Sequence, residues 1–198
     1  MNTAETSPSR NQAISLIQQT WRENPAVHFS IGRGWGFSFR SHELARFFVR
    51  FAERRNAMHF DSSGTGVIIF YPAHEHRRTW RDVADEFRLL LLAIGPFRAA
   101  RVLRRKREIA RHHAQFKTFL HCWYFGIAEQ HRSLQRAAAL RDKLFDSADR
   151  WQLPVLAETT IMRNRDVYAR MGFEVYAQCT VGQVTTYLLC RYPSQGTV

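Results

Sequence analysis

The stretch LPVLAETTIMRNRDVYARMGFEV, residues 153–175, decides how the rest of the chain is read. Pro154 bounds a short buried strand, Val155 to Ala157, which runs into Glu158-Thr159. Asn164 to Met171 then reads as a short helix, with Gly172 as its left-handed stop. Phe173 to Val181 and Val184 to Tyr192 alternate as strands, and Gly182-Gln183 joins them as a closing hairpin. Before this stretch, Cys122 to Ala128 is strand-like. The helix that follows it carries Ala137, Leu140, Leu144, Phe145 and Ala148 on one side. Strand, helix, strand, helix and hairpin specify an α/β layered fold.

Further upstream, Ile14, Leu16, Ile17 and Trp21 have helical spacing as far as Glu23, and Asn24-Pro25 ends that helix. Gly32, Gly34 and Gly36 mark a flexible loop. This GxGxG follows no strand, so it is weak as a nucleotide signature. Ser41 is a candidate N-cap for a helix running to Arg54, with Leu44, Phe47, Phe48 and Phe51 on one face. Ala57 to Phe60 and Gly66 to Tyr71 read as two strands, closed by Pro72. Trp80, Val83, Ala84, Phe87, Leu90, Leu91 and Ile94 make a clean helical stripe. Gly95-Pro96 breaks it and starts a helix holding Arg98, Arg101, Arg104, Arg105, Lys106, Arg107 and Arg111 against one acid, Glu108. That run is either a solvated face or a surface for an acidic partner.

A chain of 198 residues with 45% hydrophobic and 13% aromatic content is globular and fits one domain. Residues 1–10 read as a loose arm, 11–193 as the domain and 194–198 as a tail. The formal charge is +12, and only three of the 29 basic residues are Lys. Arg-rich base composition, nucleic acid, an anionic membrane and an acidic partner all fit that balance. No nucleic-acid recognition motif accompanies the charge. Cys122, Cys179 and Cys190 are odd in number and lack zinc spacing. In the hairpin Cys179 faces Thr186, not Cys190, so no bridge is expected and a reducing compartment fits. The longest aliphatic run, Leu89 to Ile94, is too short to span a bilayer, and the polar start has no signal core. A cytoplasmic location is the expectation. His74 with His76, and the pair His112-His113, lack a third ligand and read as surface histidines, so no metal is expected.

The two strings HCWYFGIAEQHRSLQRAAALRDKLF (residues 121–145) and LPVLAETTIMRNRDVYARMGFEV together resemble the second half of the GNAT (Gcn5-related N-acetyltransferase) superfamily. The strand ending in Glu-Thr, followed by Asn164, Tyr168 and Gly172-Phe173, carries most of the match. The order upstream is similar to puromycin-acetyltransferase-like members. The resemblance implies a mixed central sheet with a V-shaped splay between two parallel strands and helices on both faces. Residues 11–120 would form the acceptor-side half and 121–193 the acyl-CoA-binding half. Members usually open with a strand before the first helix. Residues 1–10 are too polar for one, so the sheet is expected to be a strand short.

The resemblance also implies a site for acetyl-CoA or another acyl-CoA. Phe125, Gly126, Ile127 and Ala128 would pair with pantetheine. Arg132, Ser133, Leu134, Gln135, Arg136 and Ala137 would form the pyrophosphate loop at a helix N-terminus, with Asn164 near the cofactor. The family has a glycine where this chain has Gln135, and a Cβ there stands in the way of close phosphate approach. Charge from His131, Arg132 and Arg136 partly offsets the loss. Tyr168 matches the family's acid, since a phenol near pKa ~10 can protonate a thiolate whose conjugate acid is near ~8.5. His121 is the candidate base, with Glu158 a second. Each has a plain structural alternative: Tyr168 packed on the sheet, His121 a satisfied histidine, Glu158 a hydrogen-bond acceptor, Asn164 a helix cap. The expected reaction is N-acyl transfer to a small amine, with Trp21, Phe29, Trp35 and Phe37 shaping the acceptor pocket or filling the core. An acidic acyl carrier protein as donor, a non-catalytic binding role and a homodimer stay open.

Overall fold

The computed structural model describes residues 9–73, 79–131 and 133–194, apart from the side chain of Leu134. Most of the expected arm and tail, together with His74, His76 and Arg132, lies outside the described residues.

Ser9 caps helix α1 (Arg10–Thr20) by accepting from the Gln12 amide, and its buried side is Ala13, Ile14, Leu16 and Ile17. Asn24 does more than end α1. Its side chain caps a second, seven-residue helix, α2 (Pro25–Ile31), by accepting from Ala26 and Val27. Gly36, at φ 76°, turns the chain into α3 (Phe37–Glu53). Ser41 therefore lies inside α3, not at its start, and its hydroxyl donates to the Ser38 carbonyl at 2.9 Å. Strands β1 (Met58–Phe60) and β2 (Gly66–Pro72) follow. Helix α4 (Trp80–Leu89) runs through a π-turn, Leu90–Ile94, into α5 (Pro96–His113). Then come β3 (Leu120–Ile127), α6 (Leu134–Trp151), β4 (Val155–Thr159), α7 (Met162–Arg170), β5 (Glu174–Val181) and β6 (Val184–Arg191).

The described strands form one six-stranded sheet in the order β1-β2-β3-β4-β6-β5. Only β3 and β4 run parallel, joined by the α6 crossover, while the other neighbours are antiparallel. The first described element is α1, and no described strand precedes it. The hairpin register sets Cys179 against Thr186 and Val181 against Val184, as the sequence predicts, and all three cysteines are free.

Side chains alternate across the sheet into two apolar layers. Val67, Ile69 and Tyr124 join α1, α2 and α3 on one face. Ile68, Phe70, Cys122, Ala157 and Leu189 join α6 and Phe173 on the other. Residues 79–119, between β2 and β3, cross the first face and lay α5 over β5. Among the described residues no helix is long and apolar enough to cross a membrane.

Helix α4 reverses the usual arrangement. An apolar stripe ordinarily faces a core, yet Trp80 is 75% exposed, Phe87 61% and Leu91 60%. The buried side of α4 is Asp82 and Asp85. They meet two arginines at the end of α3: Arg54 bonds Asp82 at 2.8 Å and Asp85 at 2.6 Å, and Arg55 bonds Asp82 at 2.8 Å. Periodicity located the stripe but not the side that faces the protein. The arginines of α3 settle that, because buried guanidinium groups need carboxylates.

Candidate active site

The parallel strands part almost as soon as they pair. Leu120, His121 and Cys122 lie against Val155, Leu156 and Ala157, and the pairing stops there. At that point β3 carries a bulge: Ile69 of β2 opposes Tyr124, Phe70 opposes Cys122, and Trp123 is the extra residue. From Trp123 to Ile127, β3 is paired with β2 only, and the edge towards β4 is open. The bulge also resets the alternation. Trp123 and Tyr124 both pack on the α1–α3 face, and Phe125 and Ile127 turn to the α6 face.

Beyond the bulge, Gly126 is required sterically. A Cβ there would strike the ring and hydroxyl of Tyr124, which hydrogen-bonds Thr20 at 2.6 Å. Gly126→Ala is expected to cost about 1–3 kcal/mol of stability by overpacking, measured as a lower urea midpoint.

Two sets of polar side chains meet the parting from opposite faces. On the α5 face, Glu158 Oε1 lies 3.1 Å from His121 Nε2, and His121 Nδ1 lies 3.1 Å from the Tyr71 hydroxyl. His113 Nε2, from the end of α5, is 3.3 Å from the same carboxylate oxygen but makes no hydrogen bond. Burial works to raise the Glu158 carboxyl, but His121, His113 and Arg105 outweigh it and hold it near pKa about 2. Glu158 is therefore an anion. An anion at Nε2 places a proton there, and in the tautomer that carries it Nδ1 can accept from the Tyr71 hydroxyl. Burial lowers His113 below the ordinary imidazole value despite Glu158.

On the other face, the Tyr168 ring stands edge-on to Phe173 at 5.1 Å and packs in the layer of Cys122 and Ala157. Its hydroxyl makes no hydrogen bond to a described residue. Burial above all, with the Glu158 carboxylate adding to it, pushes it well above the usual phenol value. Tyr168 is thus a neutral O–H.

No family model matches the chain, and no curated protein does. Solved structures do. A histone acetyltransferase-related protein of Corynebacterium glutamicum superposes at TM-score 0.68 with 16% identity, over 98% of this chain and 96% of that one. The polyamine N-acetyltransferase of Drosophila melanogaster gives 0.61 with 12% identity, over 92% and 94%. The C-terminal condensation domain of Ebony, in complex with β-alanyl-dopamine, gives 0.63 with 9% identity, over 92% and 93%. Identities this low report architecture, and the architecture agrees throughout. The chain has the GNAT fold.

Within the GNAT fold the residues expected from the sequence land unevenly. Phe125, Gly126 and Ile127 lie on the open edge, with Ala128 just past it. Ser133 caps α6 by accepting from the Arg136 amide, and the Arg136 guanidinium is held by the Thr65 hydroxyl. Gln135 is exposed on the first turn beside the half-buried Ala137, and Asn164 is exposed on the first turn of α7. Arg132 and the Leu134 side chain lie outside the described residues. The edge of β3 beyond Cys122 is thus open, whereas the first turn of α6 carries a Cβ at Gln135 and its Arg136 is taken by Thr65.

The expected acceptor aromatics do not converge. Trp21 is core, Trp35 is 98% exposed, Phe37 packs beside His28, and Phe29 lies under Arg101. The aromatics beside the polar pair are instead Trp123 stacked on Phe48 at 3.8 Å, with Phe51 at 4.7 Å from Trp123 and 5.2 Å from Tyr71. His113 is not the surface residue its sequence suggests. Only the fold of residues 73–119 brings it to Glu158, and no local signal marks it. Among the described residues no three His, Cys, Asp or Glu side chains gather as a metal-sized group. A separate groove of about 640 Å³, lined by Gln18, Arg22, His28, Arg33, Phe37 and Ser38 among others, shares no residue with this site.

Proposed function

We propose that the chain is an N-acyltransferase that moves an acyl group, most simply acetyl from acetyl-CoA, onto the amine of a small molecule. The observation that carries this reading is the open edge of β3 at residues 123–127, with the Tyr168 hydroxyl on one face and the hydrogen-bonded His121–Glu158 pair on the other. A pantetheine arm would add to that edge by backbone hydrogen bonds. The amine would enter on the aromatic side, against Tyr71 and Trp123.

The steps balance as direct transfer. The ammonium gives a proton through the Tyr71 hydroxyl to His121 Nδ1, and Glu158 stabilises the resulting imidazolium. The free amine attacks the thioester carbonyl, a C–N bond forms, and the C–S bond breaks. Tyr168 gives its proton to the leaving thiolate. The second proton of the attacking nitrogen leaves through water and returns Tyr168 to its O–H form, and His121 releases the first proton to solvent. The products are an amide and a thiol. Thiol release from acetyl-CoA in the presence of a panel of amines tests this directly, with the amide identified by mass spectrometry. Release no faster than hydrolysis with every amine and every acyl-CoA tried removes the reading.

A second donor is favoured by one specific observation. The loop meant for pyrophosphate has a Cβ at Gln135 and its Arg136 committed to Thr65, whereas Arg101, Arg104, Lys106, Arg107 and Arg111 stand exposed on α5. An acidic acyl carrier protein brings pantetheine without the nucleotide and would answer that charge. Transfer from such a carrier should then weaken steeply as salt rises. Gln135→Gly separates the donors. It is expected to tighten CoA by roughly tenfold, the worth of one charge-assisted hydrogen bond, read by calorimetry, and to leave carrier-dependent transfer unchanged. The free thiols suit a reducing compartment such as the cytoplasm.

A further inference from the structure

Arg105 differs from the other inward-facing arginines. Arg54 and Arg55 each take a carboxylate from α4. Arg105, half-buried on the inner side of α5, makes a single described bond, Nε to Thr186 Oγ1 at 3.2 Å. No described carboxylate lies within ion-pair distance of it. A guanidinium keeps its charge and offers five donors in a planar fork, so a desolvated one without a contacting anion is costly unless something else supplies it. Burial works against its charge, and the Glu158 carboxylate, acting from beyond contact distance, only partly offsets that.

Two more buried polar atoms on the same face make no described hydrogen bond. The Tyr176 hydroxyl is one, and His113 Nε2, which lies 3.3 Å from Glu158 Oε1 without bonding it, is the other. Such atoms are rare in folded proteins and call for a reason. Tyr176 is also the extra residue of a second bulge, in β5, where Val175 opposes Leu189 and Ala177 opposes Leu188. Its ring turns under the helical layer against Phe116, with centroids 5.1 Å apart. Bulges re-aim side chains beside sites, and both bulges in this sheet aim an aromatic at the same face.

The sheet register sets the spacing. Arg105 reaches β6 at Thr186. Two residues along β6 is Leu188, whose cross-strand partner is Glu158. Two residues of strand span about 7 Å, so a cationic group and an anionic group face one space from neighbouring pleats. An amine that carries a carboxylate complements both ends, its ammonium towards Glu158 and its carboxylate towards Arg105.

Resting on the transferase reading above, we propose that Arg105 and the Tyr176 hydroxyl hold a carboxylate on the acceptor, which makes the acceptor an amino acid. A bidentate guanidinium–carboxylate contact gives geometry as well as attraction. Tyr71 and Trp123 then flank the rest of the acceptor.

The test compares, in the wild-type chain, the common amino acids with their methyl esters and with the matching amines that lack the carboxylate. The acids should be preferred in kcat/KM by roughly 10- to 100-fold, the worth of a charged hydrogen bond. Arg105→Met should erase that preference, read as the ratio of acid to ester and amine within the same variant, and Arg105→Lys should restore part of it. Thermal unfolding checks that the variants fold, and the wild-type comparison needs no variant. Equal use of acid, ester and amine overturns the proposal and leaves the transferase standing. No transfer to any amine sinks the transferase, and calorimetry then judges the subsite alone. Acid binding that Arg105→Met abolishes upholds the subsite, and absence of binding overturns it. A succinyl-CoA arm with a carboxylate-free amine locates the carboxylate. If Arg105→Met cuts only that reaction, the anion belongs to the acyl group and the acceptor assignment falls.

Discussion

Tyr168→Phe lowers the rate of acyl transfer by roughly 10²–10⁴-fold, the usual worth of one positioned acid, with little loss of stability. Both halves follow from one observation. The Tyr168 hydroxyl has no described hydrogen-bond partner, so its removal strands no other polar group, and burial had only penalised it. The ring stays in place against Phe173. What is lost is the proton at the open edge of β3. A thioester with a less basic thiol needs that proton less, so an aryl thioester should recover much of the variant's rate while changing the wild type little. Stopped-flow thiol release with both donors measures this. Wild-type rates in the variant would mean that Tyr168 only packs the sheet, and a binding protein built on the GNAT fold would then be the better account.

Asp82→Ala is expected to destabilise the fold by about 3–5 kcal/mol, because it leaves buried cations without their anion. The carboxylate accepts from Arg54 at 2.8 and 3.2 Å and from Arg55 at 2.8 and 3.0 Å. It also closes the capping box at Thr79, at 2.9 Å from the backbone amide. The Arg55 side chain is 8% exposed, so water cannot replace what is lost. Urea unfolding gives the magnitude, and Arg55→Met in the same chain should recover part of it by removing the orphaned charge. A loss under about 1 kcal/mol would show that the network is solvated and worth no more than a surface pair. The same network predicts a direction with pH. The Arg55 hydrogen bond leads in holding the Asp82 carboxyl far below its ordinary value, against burial. Glu158 sits near about 2, and Asp61 and Asp149 are also depressed. A depressed carboxyl lends its full stability above the unfolded value of about 4 and loses it as pH falls towards the folded value. Stability measured at pH 7, 5 and 3 should therefore fall mainly between the last two.

The order of elements after residue 120 was legible because each is marked by short-range chemistry. Pro154 opens a strand, Gly172 at φ 87° ends a helix, and Gly182 at φ 62° turns a hairpin. Those signals act within a few residues, and the structure follows them. The opening half was less legible. Asn24-Pro25 reads equally as the end of one helix and the start of another, and the chain uses it for both. Ser41 has the chemistry of a cap, yet the helix starts at Gly36, five residues earlier.

For the candidate site, sequence pattern singled out Tyr168, His121 and Glu158, since each sits on a strand or helix whose place in the order was readable. Their partners were not. Tyr71 meets His121 through strand pairing, and His113 and Arg105 arrive on a helix from a connection of residues 73–119. The orientation of α4 was hidden for the same reason, because the side a helix buries depends on what lies opposite, here Arg54 and Arg55.

By itself the sequence determined the layered order and the hairpin register, since local backbone preference and two-residue periodicity suffice for those. Only the tertiary structure decided that β3 and β4 part after Cys122, that bulges re-aim Trp123 and Tyr176, and that the half-buried Arg105 has no described carboxylate within ion-pair distance. Those features come from residues far apart in the chain competing for the same space and the same charges, and no local pattern records such a contest.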